Sequence, residues 1–125
     1  MLIKMPEINT FENLTANKFQ AVKVLEEAAE MYAAFSAMQE IIIAISDKVD
    51  KGEMDEEAAG KLFNMYVGKF VEESCDVIQA TVDTVYSVLG EDTEENIKGA
   101  MQYIEKKNRE RGYYGNEESE QPTEG

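Results

Sequence analysis

At 125 residues, with 26 Asp and Glu against 12 Lys and Arg and a formal net charge of −14, the chain has the length of one domain and a surface that repels phosphate polymers. A nucleic-acid-binding role is therefore excluded, whereas a small anion carried on divalent cations is not, because the metal reverses the local field. Histidine is absent and Cys75 is the sole cysteine, which removes serine–histidine and cysteine–histidine catalysis, an internal disulfide and the usual zinc ligand sets.

Any metal held here must then be a hard ion bound by oxygen, magnesium first and manganese as the alternative. No stretch reads as a secretory signal or as a bilayer span, so the expected location is the cytoplasm, bacterial or phage-infected, with no membrane partner.

Met1 to about Thr10 holds Pro6 and lacks periodicity, so it reads as a leader that packs on the domain. From about Phe11 to Met38, Leu14, Val22, Leu25, Ala29 and Tyr32 recur at the three- and four-residue intervals of an amphipathic helix. Ile41, Ile42, Ile43, Ile45 and Val49 continue the apolar signal as a separate short helix, and a turn is expected around Gly52. Asp55 ahead of Glu56 and Glu57 marks a capped start, after which a long helix runs to about Leu89, with a break or close helix contact near Gly60 or Gly68. Gly90 ends it, Thr93 caps a last helix carrying Ile97, Met101 and Ile104, and residues 116–125, with four glutamates and no apolar side chain, read as a disordered acidic tail. No strand pattern, repeat or linker is visible. The fold expected is all-α, a helical bundle of four to five helices over residues 1–115.

Two acidic clusters interrupt apolar helical stretches: Glu26, Glu27 and Glu30 in the first helix, and Glu72, Glu73 and Asp76 in the long one. Glu27 with Glu30, and Glu73 with Asp76, place like charges on neighbouring helix positions, Cβ atoms about 5–6 Å apart. That repulsion becomes attraction when a divalent cation sits between them, and two such helices side by side would form a cup of four carboxylates. Either cluster alone is more commonly a solvated face; the two together, bordering apolar stripes, point to a site.

The run Lys23-Val24-Leu25-Glu26-Glu27-Ala28-Ala29-Glu30 resembles the K-x-x-E-E-x-x-E signature of MazG-like nucleotide pyrophosphohydrolases. Glu73-Ser74-Cys75-Asp76 resembles that family's E-x-x-D, and Lys106 to Tyr113 its basic carboxy-terminal segment. The resemblance covers about residues 18–115. It departs from the family in the long separation of Glu30 from Glu73, which reads as an inserted helix within residues 39–60.

The resemblance implies an oligomeric MazG-like fold that hydrolyses nucleoside triphosphates to monophosphate and pyrophosphate. Glu27, Glu30, Glu73 and Asp76 would be the magnesium ligands, and Glu26, then Glu72, would position or deprotonate the attacking water. Lys23, Lys107, Arg109 and Arg111 would contact phosphate, although basic groups at a helix end serve its dipole equally well. A helix apolar around so much of its surface also points to a homodimer or homotetramer. Three alternatives stay open: a phosphoribosyl-ATP pyrophosphohydrolase, a dimeric deoxyuridine triphosphatase, or a non-catalytic helical interaction module.

Overall fold

The computed structural model describes residues 1–115, and the regular structure among them is entirely helical: α1 (Lys18–Asp50), α2 (Glu56–Leu89), a 3-10 turn (Gly90–Asp92) and α3 (Thr93–Glu110). The expected tail, residues 116–125, lies outside the described residues. Three α-helices and a 3-10 turn thus stand where the sequence points to four to five helices. The difference lies in α1, which carries the Ile41–Ile43 run without a break. No glycine or proline occurs between Lys18 and Asp50, and the many alanines favour continuation. Gly60 and Gly68 likewise leave α2 unbroken.

The described residues divide into two compact units, Ile8–Val88, and Met1–Glu7 with the chain from Leu89 onward. In the first, α1 and α2 form an antiparallel hairpin. Asn17 caps α1, its Oδ1 accepting the Gln20 N–H at 3.1 Å. Gly52 takes φ +72° at the turn, and Asp55 Oδ1 accepts the Ala58 N–H at 2.7 Å to start α2, as expected. The Thr84 hydroxyl donates to the Gln20 carbonyl at one end of the hairpin. Further along, Phe35 and Phe70 meet edge to face with centroids 5.4 Å apart.

Few side chains are buried in this unit, chiefly Ile45, Ala59 and Ala80 among the apolar ones, while Leu25, Tyr32 and Ile43 are at least 70% exposed. Contrary to the sequence reading, α1 is long and apolar enough to cross a bilayer by length and composition. Core helices of soluble proteins meet the same measure, and α1 lies along a charged α2.

In the second unit, Gly90 at φ +54° turns the chain into the 3-10 segment that leads to α3. Thr93 is not the expected cap. It is the first residue of α3, buried, and its hydroxyl donates to the Gly90 carbonyl at 2.7 Å.

Candidate metal centre and the adjoining cleft

Glu27 and Glu30 of the first acidic cluster meet Glu73 of the second across the hairpin. Carboxylate oxygens of Glu27, Glu30 and Glu73 all lie within 4.8 Å of one another, near enough to share one ion. Antiparallel packing achieves this: with Gln20 beside Thr84 and Phe35 beside Phe70, the intervening register sets Glu27 and Glu30 opposite Glu73.

Glu73 is the buried member, 7% exposed. Its Oε1 receives Lys69 Nζ at 2.6 Å, while its Oε2 is buried with no hydrogen-bond partner. An unpaired buried carboxylate oxygen is costly, and the shortfall is of the kind a cation would fill. Lys69 holds the Glu73 carboxyl below its ordinary value by hydrogen bond and charge, against the opposing effect of burial. Glu30 moves the other way. The charge of Glu27, then that of Glu73, holds its carboxyl above the ordinary 4.5. Lys69 in turn is held above its usual value by Glu73. Three carboxylates and one ammonium thus share a site with too little positive charge, and the Glu30 carboxyl is raised in consequence.

Asp76, expected as the fourth ligand, lies outside this group. It lines an adjoining cleft together with Glu27, Glu26 and Lys23, so four of the expected site residues share that cleft. Glu72 is exposed on α2. The remaining basic candidates belong to the other unit and have partners there. Lys107 Nζ lies 5.7 Å from the centre of the Tyr103 ring. The Arg109 guanidinium lies over Tyr114 and pairs with Glu105 at 3.1 Å, and Arg111 caps α3.

Four contributors escaped the sequence reading. Lys69 was signalled by its i, i+4 spacing to Glu73. Phe11, Gln20 and Gln79 line the cleft, and only the tertiary fold brings them together. The leader reaches the cleft because Asp83, 1% exposed on α2, accepts the Phe11 N–H at 3.1 Å, while Gln79 Nε2 donates to the Asn9 carbonyl at 2.8 Å.

Compared with family models, with curated proteins and with solved structures, the chain matches none.

Proposed function

We propose that Glu27, Glu30 and Glu73 hold a divalent cation, Mg2+ with Mn2+ as the alternative, and that the protein is a MazG-like nucleoside triphosphate pyrophosphohydrolase. One observation carries the reading: the buried, unpartnered Glu73 Oε2 sits within a group of three carboxylates contributed by both sequence clusters. A solvated acidic face would leave no carboxylate oxygen buried and unpaired.

When bound, the cation would supply neutralisation of the phosphate charge that builds during attack. The chain's own residues do the rest. Asp76 and Glu27 border the cleft from α2 and α1 and would complete the ion's surroundings as phosphate enters. Lys23, on the same cleft, sets an ammonium against phosphate oxygens. Glu26 takes the proton from water as the water oxygen bonds to the α-phosphorus; the bond to the bridging oxygen breaks, and its electron pair leaves with pyrophosphate. Glu72 is the second choice for this base.

Pyrophosphohydrolysis of ribo- or deoxyribonucleoside triphosphates by a homodimer or homotetramer of a MazG-like bundle is the whole proposal. The exposed Leu25, Tyr32, Ile43 and Met65 support the assembly. They equally favour a second reading, a non-catalytic helical module that binds another protein through the same side chains. Glu73→Gln separates the two. The first reading predicts loss of turnover with helicity by circular dichroism unchanged; undiminished turnover in the variant removes the site assignment.

A further inference from the structure

One wall of the cleft belongs to neither helix. Phe11 comes from the leader and lines the cleft together with Gln20 and Glu26 of α1 and Asp76 and Ala80 of α2. The closed cleft measures about 210 Å³, below the roughly 300–1,000 Å³ typical of small-molecule sites. Withdrawing the leader would widen it without moving either helix.

Residues 8–16 contain no helix or strand, and a clip ties them to α2. Asp83 Oδ1 accepts the Phe11 N–H at 3.1 Å, and Gln79 Nε2 donates to the Asn9 carbonyl at 2.8 Å and to Asp83 Oδ1 at 3.1 Å. The α2 side of the clip is fixed, because Asp83 is 1% exposed and a charged acceptor makes the stronger kind of hydrogen bond. The leader side is light. None of residues 8–16 is fully buried and Phe11 is 61% exposed, so little apolar burial adds to the two attachments. Asn13 also takes φ +60° at the bend, a left-handed angle that asparagine tolerates better than most side chains yet still at a cost. A segment held this way opens locally while the helices stay paired.

We propose that residues 8–16 are a strap that closes the cleft in the free protein and lifts to admit a ligand, with Asp83 as the latch and Asn13 as the hinge. While the clip holds, Phe11 restricts access to the carboxylates that line the cleft; when it releases, the cleft opens to the depth of Gln20. Apparent affinity for any ligand that needs the whole cleft is then lowered in proportion to the open fraction. The inference rests on the preceding reading only for the identity of that ligand.

The full chain carries the test, with Cys75→Ser removing the exposed native thiol and Gln20→Cys placing one inside the cleft. The rate at which a maleimide labels the new thiol reports opening. Asp83→Leu, which keeps the volume and removes the acceptor, speeds labelling about ten- to hundredfold, the size of a lost hydrogen bond to a charged group. Gln79→Ala, which leaves the buried carboxylate in place, speeds it about threefold, the size of a lost neutral bond. Asn13→Val, strained at φ +60°, also speeds it, whereas Asn13→Gly does not. Hydrogen-exchange protection is lost at the Phe11 amide and kept at those of Phe35 and Phe70. Stopped-flow association of magnesium tripolyphosphate quickens by the labelling factor, with dissociation unchanged. Unchanged labelling in both Asp83→Leu and Gln79→Ala, equal loss of protection at all three amides, or faster labelling with tripolyphosphate still associating at its original rate overturns the strap. Labelling as expected with no tripolyphosphate binding to any variant sustains it and removes the metal reading instead.

Discussion

Among the described residues, Lys69 and Glu73 form the one close ion pair at the cup, Nζ to Oε1 at 2.6 Å, and they are unequally placed: the lysine side chain is 60% exposed and the glutamate nearly buried. The lysine can swing into solvent while the carboxylate cannot follow, so the ammonium is a replaceable occupant of a fixed site.

Lys69→Met therefore strengthens divalent-cation binding by removing a competing positive charge. The gain is about two- to fivefold, the range of a solvent-screened pair, and isothermal titration with Mn2+ reads it. Weaker binding in the variant would make Lys69 part of the cation's support and not its competitor.

The raised carboxyl of Glu30 gives the cup a definite pH response. Its folded carboxyl lies above the ordinary 4.5, so its contribution to metal-free stability is present below 4.5 and is lost as pH rises through the raised value. Glu73, held low, contributes above 4.5 and loses that contribution as pH falls through its lowered value. Cation binding favours the ionised Glu30 carboxylate, so affinity falls as the pH is lowered through the raised value, measured by calorimetry across a pH series. Glu30→Gln raises the melting temperature of the chelator-treated protein at pH 7 and weakens cation binding about 10–100-fold.

The start of α2 is separable from the site. Asp55→Ala removes the cap bond to the Ala58 N–H and costs about 1 kcal/mol in urea denaturation, with cation affinity unchanged.

Assembly is read from mass. Light scattering after gel filtration gives a multiple of the 14.1 kDa chain, and Ile43→Asp, which places a charge among exposed apolar side chains of α1, shifts the mass toward that of one chain. A monomeric wild type would contradict the proposed oligomer.

The helices were legible where local chemistry acts alone. Asp55 announces its own cap and Gly52 its positive φ, and the apolar period marks α1 and α2. The short helix expected at Ile41 is absent because an isoleucine cluster changes the amphipathic pattern without interrupting the backbone; only a glycine or proline would have done that. Pairing of the Glu27–Glu30 and Glu73 clusters followed from helical spacing plus the assumption of side-by-side helices. Asp76 was expected in the same group because i+3 spacing from Glu73 is fixed, but rotation of α2 about its axis decides which of the two turns inward, and that depends on packing. The clip from Asp83 to Phe11 joins residues 72 apart in sequence, and no local pattern encodes it.

Product analysis bears most directly on the central claim. Purified protein is incubated with a panel of ribo- and deoxyribonucleoside triphosphates, with magnesium and with excess chelator. The account predicts magnesium-dependent formation of nucleoside monophosphate and pyrophosphate in equal amounts; release of orthophosphate, or no turnover of any nucleotide, would contradict it.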